Sequence, residues 1–286
     1  MTVLTEPATG LLAGWYLAAE LTGRCQLSCS HCYASSGPLV GHGAMTGDDW
    51  CRLIDEAAAL AIHEVQFIGG EPTRHPEFER ILTHAIDKVQ VEVFTNLYRI
   101  KESLWERLAR PGVSLATSFY SNQQSEHARI TGRHDGYGRT RANIIRAVGL
   151  GISIRAAIVD MLPGQHIEEA RTELSALGVT RIRVDRLRGI GRAATLTAAP
   201  DPSQLCGRCG DKRLAVSPSG DVTPCVLSRW MITGNVLAQP LAAIVGGQAW
   251  YEALTRIPPV TGVCDPECNP ASDGADCAPA QQVDGQ

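Results

Sequence analysis

Three thiols stand within eight residues, Cys25-Gln-Leu-Ser-Cys29-Ser-His-Cys32, directly after the first strand-like run. A structural zinc site takes four ligands. Three thiolates on one short loop can instead hold three irons of a [4Fe–4S] cube and leave the fourth iron open for chemistry. On the cysteines alone, a zinc knuckle or a redox-sensing loop is the competing reading.

The chain of 286 residues is long enough for one large domain with a small appendage, and 44% hydrophobic residues fit a globular core. No apolar stretch has the length of a membrane span, and the N-terminus lacks a basic segment followed by an apolar core. A cytoplasmic protein without membrane contact is expected. Ten cysteines, grouped as they are here, point to metal in a reducing compartment and not to disulfides. The net charge of −4, with no lysine-rich run, gives no reason to expect nucleic acid. Arg181, Arg183, Arg186, Arg188 and Arg192 crowd one stretch. They either face an anionic substrate or a cofactor carboxylate, or reflect coding bias.

Residues 1–14 read as an N-terminal lead, and Trp15 to Leu21 as a first strand aimed at the cysteine loop. A helix starts at Thr46, where Thr46 and Asp49 form a capping-box pattern before the stripe Trp50, Leu53, Ile54, Ala57 and Ala58. Cys51 lies beside that stripe as a small structural thiol. Strands are then predicted at Glu64–Ile68, Val91–Thr95, Val113–Phe119, Ile152–Val159 and Arg181–Leu187. They alternate with helices at Pro76–Lys88, Glu102–Arg110, Arg139–Leu150 and Ile167–Leu177. This is an α/β chain with a parallel sheet and about six β–α units, fewer than the eight of a closed barrel. Residues in such folds act from beyond the carboxyl ends of strands. Cys25–Cys32, Gly69-Gly70-Glu71, Thr95-Asn96 and Ser118 all fall there. The β–α rhythm stops near Pro200, so residues 15–200 are read as the barrel, 201–279 as the appendage and 280–286 as a disordered tail.

Gly69-Gly70-Glu71-Pro72 follows the cysteine loop by one β–α unit. Together the C-x3-C-x2-C loop and this Gly-Gly-Glu closely resemble the radical S-adenosylmethionine (radical SAM) superfamily. The resemblance implies a partial (β/α)6 barrel with Cys25, Cys29 and Cys32 as ligands of a [4Fe–4S] cluster. In the family SAM chelates the open iron and is cleaved reductively to a 5′-deoxyadenosyl radical. Gly69 and Gly70 would let the backbone approach the methionine moiety, and Glu71 would accept a hydrogen bond from its ammonium group. His31 stands where relatives usually carry an aromatic beside the adenine, and Arg188-Gly-Ile-Gly-Arg192 would cross over that adenine. Ser118 lies where relatives contact the ribose or carboxylate of SAM, with Arg139, Arg141 or Arg155 as the cation for that carboxylate. Asn96 is included in the cofactor site, although Leu97 follows where many relatives have glycine.

The second cysteine set reads Cys206-x2-Cys209-x15-Cys225, then Cys264-x3-Cys268-x8-Cys277. It resembles the C-terminal SPASM or shorter twitch domain, a small cysteine-rich unit with auxiliary [4Fe–4S] clusters. By position Cys206, Cys209, Cys225 and Cys268 match the ligands of at least one auxiliary cluster. Cys264 and Cys277 are left over, as ligands of a degenerate second cluster or as hydrogen donors in catalysis. Four cysteines would satisfy zinc equally well; the resemblance favours iron–sulfur.

SPASM and twitch enzymes modify ribosomally made peptides, oxidise protein side chains, or act on aminoglycoside sugars. The first reading is therefore maturation of a precursor peptide, by cross-linking or epimerisation. The alternatives are a sugar or aminocyclitol dehydrogenase or epimerase of antibiotic biosynthesis, and a non-catalytic iron–sulfur scaffold or sensor, for which Glu71 and an open iron have no use. A flavodoxin- or ferredoxin-type donor is expected as partner. So is a separate leader-recognition protein, because about twenty residues ahead of the cluster are too few for such a domain.

Overall fold

A computed structural model describes residues 10–194 and 200–259; Cys264, Cys268, Cys277 and the C-terminal tail lie outside these residues. Strand and helix alternate as β1 (Tyr16–Thr22), α1 (Gly47–Ala59), β2 (Glu64–Gly69), α2 (Phe78–Ile86), β3 (Gln90–Phe94), α3 (Glu102–Leu108) and β4 (Val113–Ser118). Then come α4 (Gln124–Thr131), α5 (Gly136–Gly149), β5 (Ile154–Asp160), α6 (Ile167–Ala176) and β6 (Arg181–Arg186). These six strands pair in sequence order and all in parallel. Among the described residues the six strands do not close on themselves, so the (β/α)6 barrel is partial, as expected.

Side chains alternate between two faces of each strand. The outer set, including Leu17, Leu21, Val65, Phe67, Val91, Leu115 and Ile158, packs under Trp50, Leu53 and Ile54 of α1 and Ile81 and Leu82 of α2 in one core. The inner set includes buried Glu20, Gln66, Glu92 and Arg155. Arg155 Nε and Nη2 donate to the two carboxylate oxygens of Glu92 at 2.7 and 2.5 Å, and Gln66 Nε2 donates to Glu92 Oε2 at 2.5 Å. Charge survives inside the barrel because it is paired and hydrogen-bonded there. The predicted capping box holds: Asp49 N donates to Thr46 Oγ1 at 3.2 Å, and Thr46 N to Asp49 Oδ2 at 3.0 Å, an arrangement worth about 1 kcal/mol. Cys51 is buried in the outer core.

The appendage continues the same sheet. Strand β7 (Arg213–Val216) pairs in parallel with β1, from Tyr16↔Arg213 to Ala19↔Val216. It then turns back antiparallel into β8 (Asp221–Thr223), which pairs with β9 (Gly234–Asn235). Gly220, at φ +87°, closes the hairpin in the left-handed region that glycine favours. Helices α7 (Leu241–Val245) and α8 (Gln248–Leu254) follow, and Trp250 of α8 lies with its ring 6.0 Å from that of Trp15.

Helix α4 was not anticipated. Its sequence QSEHARIT buries only His127, Ile130 and Thr131, too few apolar positions to register as a periodic stripe. No helix among the described residues is long and apolar enough to cross a membrane.

Candidate active site

The loops beyond β1, β2, β3 and β4 converge on one cleft enclosing about 1020 Å³, its mouth included, whose wall carries Cys25, Cys29, Cys32, Gly69, Gly70, Asn96 and Ser118. Burial, then the charge of Glu71, pushes the Cys25 thiol up; burial and Cys32 push Cys29 up to about 12. Such thiols lose their protons when a metal supplies the compensating charge. No trio of His, Cys, Asp or Glu among the described residues is arranged around a single ion. A cube meets each thiolate through a different iron, so three thiols on the wall of a wide cleft fit it.

The two glycines serve the chain itself. A Cβ on Gly69 (φ +122°) would stand 2.6 Å from the Thr22 carbonyl oxygen, and one on Gly70 would stand 2.4 Å from that of Arg24. Their backbone thus packs on the segment leading into the cysteine loop, with Gly70 N donating to Thr22 O and Glu71 N to Arg24 O.

Glu71 is buried and is not on the cleft wall. Its carboxylate accepts hydrogen bonds from donors of the protein. Thr73 N, Thr73 Oγ1 and Thr95 Oγ1 donate to Oε1 at 3.2, 2.7 and 2.8 Å, and Asn96 N donates to Oε2 at 2.9 Å. Burial raises the carboxyl above its ordinary range against the pull of these bonds. Asn96 is on the wall, and Leu97 adopts φ +51°, so the left-handed turn is kept without glycine.

The three candidate arginines stand away from the cleft wall. Arg139 is exposed and paired with Asp135 at 2.6 Å; Arg141 pairs with Glu173 at 2.6 Å; Arg155 is held by Glu92 inside the barrel. None of the three lines the cleft. Among the described residues, the cations on its wall are Arg186, Arg188 and Arg192, with no Asp or Glu beside them, so three arginines of the crowded stretch face the site. Arg188 is committed to Asp185 and to Gln204 O. Arg192 N donates to Cys32 O at 3.0 Å and its Nε to Cys29 O at 2.8 Å, which ties the segment after β6 onto the cysteine loop.

His31 lies on the wall with its Nε2 3.1 Å from the Tyr120 hydroxyl, and burial, aided by Arg192, lowers its pKa to about 4. Tyr120 and His127, both missed in the sequence, line the same wall, their rings 5.6 Å apart. His127 is buried, neither ring nitrogen has a hydrogen-bond partner among the described residues, and burial lowers its pKa to about 4. No sequence signal marked it, because its helix was not recognised.

Cys206, Cys209 and Cys225 meet in a separate place. Each is 5% exposed, and Cys209 Sγ lies 2.7 Å from Cys225 Sγ. Tyr16, Ala18, Ile68, Leu205 and Met231 form the apolar cluster around Cys209 and Cys225. Ser228 Oγ holds the Cys225 backbone from both sides, accepting from N and donating to O. Three of the four proposed auxiliary ligands are thus assembled as a soft, water-poor donor set that suits an iron–sulfur cluster.

Comparison with known proteins matches this geometry to a class. A radical SAM superfamily model matches residues 19–176, and a SPASM model, an iron–sulfur cluster-binding domain, matches residues 206–269. The chain belongs to the radical SAM superfamily, and with it come a [4Fe–4S] cluster and SAM, with auxiliary iron–sulfur in the SPASM domain. It is similar to the PqqA peptide cyclase of Granulibacter bethesdensis, at 28% identity over 65% of this chain and 49% of the relative. It is similar also to the mycofactocin maturase MftC of Mycobacterium tuberculosis, at 31% over 68% of this chain and 50% of the relative. The chain therefore spans about half the length of these curated relatives. In fold it is similar to SuiB of Streptococcus suis bound to the precursor peptide SuiA, with a TM-score of 0.72 at 16% identity, covering 86% of this chain and 67% of that one.

Proposed function

We propose that this chain is a radical SAM peptide maturase acting on a ribosomally made precursor peptide, with Cys25, Cys29 and Cys32 holding the SAM cluster. The supporting observation is the cleft. Three thiols stand on its wall, beside the Gly69-Gly70 turn and Asn96 and Ser118, at the carboxyl ends of four parallel strands. When bound, the cluster and SAM supply a 5′-deoxyadenosyl radical that abstracts hydrogen from the substrate. Gly69 and Gly70 shape the cleft wall, Ser118, Tyr120 and His127 offer neutral polar groups, and Arg186 and Arg192 offer positive charge. The names of the similar proteins, a peptide cyclase and a maturase, support a peptide over a sugar or aminocyclitol. A flavodoxin- or ferredoxin-type donor, a leader-recognition partner, a cytoplasmic location and Cys206, Cys209, Cys225 and Cys268 as auxiliary ligands belong to the same proposal.

Anaerobically reconstituted, reduced protein is expected to release 5′-deoxyadenosine, and replacement of Cys25, Cys29 and Cys32 together by alanine is expected to abolish it. Undiminished cleavage in that triple variant would sink the assignment. Added precursor peptides encoded beside the gene should lose a hydrogen pair on cross-linking, or take up solvent deuterium on epimerisation.

A further inference from the structure

The buried network around Glu71 ends on a cysteine sulfur. Asn96 Nδ2 donates to Cys25 Sγ at 3.6 Å. The orientation of an amide follows from its partners, and here they agree: Asn96 Oδ1 accepts from Gln26 Nε2 at 3.0 Å and from Tyr98 N at 2.9 Å. A flipped amide would set NH2 against the Tyr98 backbone N–H, a fixed donor, and leave the sulfur facing an oxygen. The backbone on both sides is held as firmly. Asn96 N donates to Glu71 Oε2, and Asn96 O accepts from Thr140 Oγ1 at 2.9 Å. Leu97, in its left-handed conformation, donates from N to Thr95 Oγ1 at 3.2 Å and accepts at O from Asn143 Nδ2 at 2.7 Å. A non-glycine residue at positive φ is held only where its surroundings over-determine it. These contacts hold the Asn96 amide N–H toward the Cys25 sulfur.

We infer that the Asn96 side chain sets the reduction potential of the cluster held by Cys25, Cys29 and Cys32, by hydrogen-bonding the Cys25 thiolate. The inference rests on the ligand assignment proposed above. A donor N–H stabilises negative charge on sulfur, and the reduced cluster carries one more electron than the oxidised one. The bond is therefore stronger after reduction and raises the potential. Asn96 is then a positioning and tuning residue that reaches the cofactor through a ligand, and the buried Glu71 carboxylate fixes where it stands.

The test is a redox titration of the reconstituted full chain, followed by EPR on the signal that changes when SAM is added. Asn96→Asp keeps the shape and both accepted hydrogen bonds but replaces the donor with oxygen; Asn96→Ala removes the group. Both are expected to lower the reduced-to-oxidised ratio at fixed potential by roughly tenfold or more, about 59 mV in midpoint for one electron, with the larger drop in the aspartate variant. Midpoints equal to wild type in iron-loaded variants would overturn the inference. Should neither variant retain a cluster, wild-type protein carrying heavy nitrogen only in asparagine side chains decides it. Pulsed EPR of its reduced cluster should show a weakly coupled nitrogen, and absence of that coupling overturns the inference. A wild-type protein that forms no SAM-responsive cluster would overturn the ligand assignment and this inference together.

Discussion

Two cysteine triads flank one sheet and differ in access: one opens onto a cleft, the other is enclosed. Cys25, Cys29 and Cys32 stand on the wall of a cleft with three arginines, two histidines and hydroxyl groups around them. Cys206, Cys209 and Cys225 are enclosed, each with 5% of its surface exposed, amid apolar side chains. The thiols are chemically alike, so the difference lies in what each setting allows. A cleft that carries arginines, histidines and hydroxyls among apolar side chains such as Leu27, Ile68 and Phe94 admits and orients a small molecule at a metal. A closed apolar one excludes ligands and leaves electron transfer and structural support as the uses of a metal. The open site is built by loops beyond four separate strands, whereas the closed site is folded around its own ligands.

The largest break in this contrast is expected from the closed triad. Replacing Cys206, Cys209 and Cys225 together by alanine should remove about four irons per chain and destabilise the region after Pro200 by several kcal/mol, because such a site folds around its metal. SAM binding at the open triad should persist. Iron analysis, thermal melting and SAM binding on one preparation check this, and a zinc-loaded, iron-free second site in wild type would remove the auxiliary cluster from the account.

Packing offers a finer comparison. Leu205, 2% exposed beside the closed triad, should cost about 2–5 kcal/mol when changed to alanine. Leu187, 39% exposed at the open cleft, should change stability by no more than about 0.5 kcal/mol. Denaturant melts of the two variants measure the difference, and equal costs would show that the two settings do not differ in packing.

The smallest effect is one of pH. His127 at the open site is neutral in the fold, its pKa lowered by burial from 6.5 to about 4. Below 6.5 the unfolded chain takes up a proton that the folded chain does not, so this contribution to stability is full above that value and declines as pH falls towards 4. Between about pH 7.5 and about pH 5 the loss amounts to about 2 kcal/mol. His127→Phe should remove that part of the acid sensitivity, and identical pH profiles for variant and wild type would refute it.

How much of this was legible in the sequence depended on the kind of signal. The cysteine loop, the Gly-Gly-Glu turn and the Thr46–Asp49 cap are local patterns, and local geometry follows from them directly. The strand ends could be placed because apolar runs locate strands, and parallel sheets put loops of one kind on one side. The arginines could not be assigned in this way. Sequence shows where a charge is but not which partner neutralises it: Arg155 meets Glu92 across two strands, and Arg139 meets Asp135 one helical turn away. Nor does sequence report that Glu71 accepts from Thr73, Thr95 and Asn96, since two of those three residues come from the next strand–loop unit. His127 was hidden with its weakly patterned helix, and the pairing of β7 with β1 joins segments far apart in the chain, a contact that no periodicity encodes.

That pairing changes what the appendage is. A β-strand with an unpaired edge is a template for unwanted association, and β1 would present such an edge if the chain ended with the barrel. Instead β1 is covered by β2 on one side and by β7 on the other, and among the described residues the margin on that side passes to the two-residue β9, too short to recruit another strand effectively. The cysteine-rich unit thus acts as a selvedge for the barrel. The two family segments are woven into one sheet, and any exchange of one for another in evolution has to preserve the backbone register between Tyr16–Ala19 and Arg213–Val216.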